Sequence, residues 1–255
     1  MKQVTKWILS GAIALAVGFG GNVTFAQQAG DNADEPPEQD DVSKALDSTA
    51  TQWSFQFAYQ ATDWKDDIVN GEPRRPGHDN FVQLRVVAPF VFEKFTLLPR
   101  LTLRHYENEQ TGKSGLGNTE LFALMIPSSW DWGSGRFGIG PLVTLPGDKE
   151  VARDEWGYGF ATAAVNSKGK WFYGLLLTQS WRAIDPQALP AGSSDTNPLG
   201  IVPIINYRIA NGWYVGNGDM VGLYDWDSSK FYLPIGVRIG KVFVMDEGTW
   251  NFYGE

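Results

Sequence analysis

The chain has no cysteine, two histidines and an excess of acidic over basic residues, 29 against 21, for a net charge of −8. Without cysteine there is no disulfide-stapled fold and no thiolate metal site. With only His78 and His105, histidine-based metal and acid–base sites have few candidates. No Gly-x-Ser-x-Gly elbow, paired-histidine metalloprotease helix or phosphate-cradling glycine loop occurs. An acidic chain is poorly suited to neutralise phosphates, which argues against nucleic acid as a partner. Beyond the first residues no apolar run is long enough to cross a bilayer as a helix.

What is present begins with an address. Lys2 and Lys6 precede an apolar stretch from Trp7 to Phe19, and Thr24-Phe25-Ala26 has the small-x-Ala form of a cleavage site. Residues 1–26 therefore read as a cleaved export signal. The apolar stretch is too short and too rich in glycine to serve well as a membrane anchor. Residues 27–50 carry Asp31, Asp34, Glu35, Pro36, Pro37, Glu38, Asp40 and Asp41. Such a segment cannot bury enough apolar surface to order itself, so it reads as an acidic disordered periplasmic leader, with a short helical turn expected near Val42 to Leu46. Residues 51–255 form the remaining unit.

That unit repeats a strand of about ten residues with two different faces. Between Thr51 and Gln60, Trp53, Phe55, Phe57 and Tyr59 share one face and Ser54, Gln56, Ala58 and Gln60 the other, a period of two. Eleven strands are expected near 51–60, 80–92, 95–106, 115–126, 135–145, 156–166, 170–181, 198–208, 212–224, 230–244 and 249–254. One hairpin fixes its own register. With Glu93-Lys94 as a two-residue turn, paired positions sum to 187. Val82, Leu84, Val86, Ala88 and Phe90 then meet His105, Leu103, Leu101, Pro99 and Leu97. On the other face Gln83 meets Arg104, Arg85 meets Thr102 and Val87 meets Arg100. A slip of one residue would scramble that sorting.

The connections alternate between short turns and longer, acidic loops, the asymmetry of an outer-membrane barrel. Trp53, Trp130, Trp132, Trp171, Trp213 and Trp250 fall near short-turn ends; Trp156, Tyr158, Trp181, Tyr224, Trp226 and Tyr232 fall near long-loop ends. Two belts of amphipathic rings suit the two interfaces of a bilayer, whereas an aromatic core in a β-sandwich would place rings mid-strand. The expected fold is all-β, an antiparallel transmembrane β-barrel of a Gram-negative outer membrane. Its partners are outer-membrane lipid and lipopolysaccharide, the barrel-assembly machinery and small-molecule solutes.

Alternation sends Gln83, Arg85, Arg100, Thr102, Arg104, Glu120, Asn217, Asp219 and Arg238 inward, together with Arg136 and Arg208. An arginine facing lipid near the midplane costs roughly 2–4 kcal/mol, which favours this parity. Such a set makes either a charged constriction that orients solutes or a salt-bridged plug filling a narrow barrel. Phe122, Leu124, Val202 and Ile204 take the same parity and leave apolar patches between the charges. His105 falls on the lipid-facing side. Asp225-Trp226-Asp227 and Asp148-Lys149-Glu150 lack a dedicated calcium-loop pattern and read as solvated acids. No catalytic residue, metal or cofactor is assigned.

Several motifs, in order, carry a family resemblance. They are Gly115-Leu116-Gly117-Asn118-Thr119; Gly138-Ile139-Gly140-Pro141 leading to Leu145-Pro146; Trp171-Phe172-Tyr173-Gly174 with Gln179-Ser180-Trp181; and Tyr224-Asp225-Trp226 followed by Pro234-Ile235-Gly236-Val237. From Thr51 to Glu255 the chain resembles the outer-membrane proteins named for the phenol meta-cleavage pathway, often labelled neuromedin-U-like. The resemblance implies a barrel, usually of twelve strands, that passes small organic molecules. It also implies a further strand ending in an aromatic residue, whereas this sequence stops at Tyr253-Gly254-Glu255. Eleven strands are visible where a complete chain would have twelve, which leaves an open edge on the first and last. The expectation is an outer-membrane channel or binding conduit for small, hydrophobic or aromatic molecules. A closed structural barrel without a pore and a lipid-modifying barrel enzyme are the alternatives.

Overall fold

The computed structural model describes residues 12–20, 45–46, 52–64, 68–69, 72–73, 77–108, 112–181, 197–227, 229–245 and 248–255. The cleavage site at Thr24 to Ala26, most of the acidic leader, and most of the loop from Arg182 to Asn197 lie outside the described residues.

The expected alternation builds one large antiparallel sheet, beside which Ile68–Val69 and Glu72–Pro73 form a separate two-stranded ladder. The strands of the large sheet are β1 (Ala12–Gly20), β2 (Ser54–Trp64), β3 (Gly77–Val87), β4 (Phe95–Asn108), β5 (Thr119–Pro127) and β6 (Gly135–Leu145). Then come β7 (Gly157–Lys168), β8 (Trp171–Trp181) and β9 (Pro198–Arg208). Two strands are broken midway: β10 into Trp213–Gly216 and Gly222–Asp225, and β11 into Lys230–Tyr232 and Arg238–Met245. The last is β12 (Gly248–Gly254). From β2 onward each strand pairs with the next. β1 then lies between β12 and β2, so the pairings return to their starting strand.

This last pairing differs from the sequence expectation. The first and last strands of the 51–255 unit were expected to keep open edges. Instead Ala12–Gly20, read as the core of an export signal, occupies the twelfth position, with Val17 opposite Phe57 on one side and Phe252 on the other. A strand edge in hydrocarbon leaves unpaired backbone groups that cost several kcal/mol each. Any extended segment able to pair along both edges removes that cost.

Side chains sort by face as the alternation requires. On β2 Phe57 and Tyr59 are exposed while Ala58 between them is buried. Belts of exposed rings lie at both ends, with Trp130, Trp132, Trp171 and Trp213 at the short-turn end and Trp156, Tyr158, Trp181 and Trp226 at the long-loop end. The short turn after β9 uses Asn211 and Gly212, both at positive φ (51° and 81°), the conformation a tight hairpin between twisted strands demands. Inside, Val87, Leu98, Phe122, Leu124, Ile126, Leu142, Ala161, Ala163, Leu176 and Val202 form one apolar cluster. This fills the side bounded by β3 to β9. A smaller cluster of Ala58, Tyr214, Val242 and Tyr253 is packed by Ala45 and Leu46. These two leader residues are helical and half-buried, inside the stretch where a helical turn was expected.

Candidate functional site in the lumen

The hairpin of β3 and β4 has the register read from sequence: Gln83 opposes Arg104, Arg85 opposes Thr102, and Val87 opposes Arg100. That register puts the arginines on the inner wall. Arg85 Nη1 donates to Asp219 Oδ2 at 2.6 Å and to Gln56 Oε1 at 2.8 Å. Arg104 Nε donates to Gln83 Oε1 at 2.9 Å, and its guanidinium lies 5.8 Å from the Phe81 ring centre. Arg100 Nη2 is 3.5 Å from Glu120 Oε1, and its guanidinium sits 4.3 Å over the Phe122 ring.

A second group adjoins the first. Arg238 Nε donates to Glu255 Oε1 at 2.7 Å, with the guanidinium 3.8 Å over the Tyr253 ring. The same carboxylate oxygen accepts the Asp219 backbone N–H at 3.0 Å. Gln56 Nε2 donates to the Tyr253 hydroxyl, and the Tyr214 hydroxyl donates to Asn251 Oδ1 at 3.1 Å. A chain of polar contacts thus runs from Arg85 through Asp219 and Glu255 to Arg238.

Arg85, Arg100 and Arg238 each have a carboxylate beside them, so this wall is not an open positive field. Individual donors remain. Arg85 Nε, Arg100 Nε and Thr102 Oγ1 are buried and meet no hydrogen-bond partner among the described residues. Thr102 lies opposite Arg85 in the register and two residues from Arg100 on the same face, so the three residues are neighbours on one patch of the inner wall. Leaving a buried polar atom unsatisfied costs about 1–3 kcal/mol, and native interiors rarely do so without a reason. The patch borders apolar side chains, since Val87, Leu98, Phe122 and Leu124 belong to the adjoining core. Its chemistry suits a molecule with acceptor oxygens at one end and an apolar body at the other.

Of the residues assigned to the lumen by alternation, Gln83, Arg85, Arg100, Thr102, Arg104, Glu120, Asp219 and Arg238 join this wall. Asn217 has a different task. Its Oδ1 accepts the Ile205 N–H at 2.8 Å and its Nδ2 donates to the Pro203 carbonyl at 2.8 Å, so it stands in for missing ladder bonds on β9. Sequence reasoning did not select Glu255, Gln56 or Tyr253. Gln56 and Tyr253 had the right parity; Glu255 follows the last strand, where alternation gives no direction.

Elsewhere the acidic motifs hold loop backbone. Asp148 Oδ2 accepts the Leu116 N–H at 2.8 Å, and Asp225 Oδ1 accepts the Asp227 N–H at 3.0 Å. Lys149 lies 2.7 Å from Asp154, a hydrogen bond that holds its ammonium above the usual range. His105 is exposed on the outer face. Comparison of the chain with family models, with curated protein sequences and with solved structures returns no match.

Proposed function

We propose that this protein is a passive outer-membrane conduit for small organic molecules that combine an apolar or aromatic body with an acceptor oxygen, such as aromatic carboxylates and phenols. The observation that carries this reading is the patch of unsatisfied donors, Arg85 Nε, Arg100 Nε and Thr102 Oγ1, set against an apolar wall. An acceptor oxygen would satisfy the donors, and the buried apolar cluster around Phe122 would have to part to admit the body. The placement in an outer membrane is supported by the exposed apolar outer face with its two aromatic belts and by the signal-like start of the sequence. The resemblance to the phenol-pathway outer-membrane family points the same way.

The test is solute entry into vesicles reconstituted with the full chain. An aromatic carboxylate should enter faster than a neutral sugar of similar size, and Arg100→Gln should abolish that preference. Equal entry of both solutes would refute the selectivity. A second reading, a closed structural barrel, is favoured by the filling of the apolar side, where Leu98, Leu124, Leu142 and Ala161 are almost fully buried. Absence of entry for every solute, with the barrel folded, would select that reading.

A further inference from the structure

The wall is interrupted beside the charged site. Between β10 and β11 the ladder stops after Gly216 opposite Arg238 and resumes at Leu223 opposite Tyr232. Over the gap, residues 217–222 of β10 face 233–237 of β11, one residue more on the β10 side, so β10 carries a bulge. Gly218 adopts φ +72°, a left-handed conformation that a Cβ would oppose. Past it the chain turns inward and Asp219 reaches Arg85 on β3. On the β9 side Asn217 repairs the break with its side chain. On the β11 side no ladder pairing joins Asn217–Val221 to Leu233–Val237 among the described residues.

The rim of this gap has two characters. Leu233, Ile235 and Val237 are exposed and share the outer parity of Ile239 and Phe243; Asp219, Arg85 and Arg238 stand behind them in the lumen. Met220 lies across the gap. A Cβ at Gly236 would sit 2.9 Å from Met220 Cε and 3.4 Å from Met220 Cγ, so the thioether occupies the space that the missing side chain leaves. Methionine is flexible enough to leave such a seat readily. Irregular backbone at bilayer depth is tolerated where it is buried in protein or lines a wet cavity. The unpaired stretch adjoins the charged lumen through Asp219, which meets that requirement.

We infer that the gap between Asn217–Val221 and Leu233–Val237 is a lateral port, latched by Met220 against Gly236, through which small amphipathic molecules pass between the lumen and the bilayer. The inference rests on the conduit reading and adds a route to it. The polar end of the molecule stays with Arg85 and Arg238 while its apolar body crosses the rim of Leu233, Ile235 and Val237. A purely hydrophilic solute has no partner on that rim.

The chain's lack of cysteine allows a clean staple. Met220→Cys with Gly236→Cys places the thiols within reach of a disulfide, whose Cβ atoms sit about 3.5–4.5 Å apart. The comparison staple is Val215→Cys with Ile239→Cys, a paired position on the same two strands below the gap. Full-length variants are expressed in a Gram-negative host, folded barrel is verified by heat-modifiable migration, and uptake of a labelled aromatic carboxylate is followed. Oxidation of the first staple should lower uptake to that of cells without the protein, and reduction should restore it. The comparison staple should change nothing, and Met220→Ala should raise uptake. Unchanged uptake with the first staple closed, or failure of its cysteines to join, overturns the port and leaves the conduit standing. No uptake by the unstapled, folded chain overturns the conduit and the port with it.

Discussion

Arg85 and Asp219, 134 residues apart in the chain, meet at 2.6 Å across the lumen. The contact ties β3 to β10 at the point where β10 leaves its ladder. Asp219→Asn keeps the shape and removes the charge, so Arg85 loses its carboxylate partner. The Asp219 side chain is 29% exposed, and solvent screens part of the loss. The expected destabilisation is about 1.5–3 kcal/mol, the range for a hydrogen bond to a charged group. Urea titration of tryptophan fluorescence in detergent would read it. An unchanged midpoint for both Asp219→Asn and Asp219→Ala would mean that the turn is held by other contacts.

Leu101 and Thr102 adjoin on β4 and test the facing of the barrel directly. Leu101 opposes Val86 and Thr102 opposes Arg85, so their side chains take opposite sides of the wall. Leu101→Arg would set a charge against lipid at mid-strand, at roughly 2–4 kcal/mol, and should largely abolish heat-modifiable barrel. Thr102→Val should fold as well as the parent, because the hydroxyl it deletes has no partner among the described residues. Equal loss in the two variants would contradict the register.

The register of β3 and β4 was legible because one pairing around Glu93-Lys94 sends all three arginines to one face and nearly every apolar residue to the other. The bounds of β6 and β9 were legible from their ends instead, where Gly133-Ser134, Pro146-Gly147, Asn197 and Ala210-Asn211-Gly212 interrupt the apolar runs. The breaks in β10 and β11 were not. Leu233, Ile235 and Val237 keep a period of two, and alternation reports which face a side chain takes, not whether its backbone is paired. Asn217 looked like one more inward polar residue, although its amide is spent on Pro203 and Ile205. Ala12–Gly20 holds its larger apolar residues at odd positions and small ones at even positions. With no polar residue among them, an apolar run hides that period and reads as a signal core. Donors without partners are invisible to sequence altogether, since they depend on which neighbours a fold fails to supply.

Orientation in the membrane follows from the connections. Lys149 lies in a loop at the long-loop end and Lys94 in a short turn, both exposed. With the barrel in an outer membrane, as proposed, the loop-length asymmetry would put the long loops outside the cell. Lys149→Cys should therefore react with an impermeant maleimide on intact cells, while Lys94→Cys should react only after the outer membrane is opened. The reverse pattern would invert the barrel.

The seam beside β1 yields the most consequential expectation. Ala12–Gly20 pairs with Thr62 to Phe55 on one side and with Gly254 to Thr249 on the other, yet the same residues read as the core of a cleavable signal. One segment cannot both leave the chain and seal the wall, so the two roles separate by experiment. In full-length protein refolded from denaturant, where no signal peptidase acts, Val17→Cys should cross-link to Phe57→Cys and, in a second variant, to Phe252→Cys. The off-register pair Val17→Cys with Gln56→Cys should stay reduced, because neighbouring positions on a strand face opposite sides. Protein spanning residues 27–255 alone leaves the facing edges of β2 and β12 without that partner, and each unpaired backbone group in hydrocarbon costs several kcal/mol. It should show little heat-modifiable barrel and fast proteolysis. A resistant, heat-modifiable barrel from residues 27–255 would mean that β2 and β12 find another way to satisfy their edges, and that Ala12–Gly20 is dispensable to the wall.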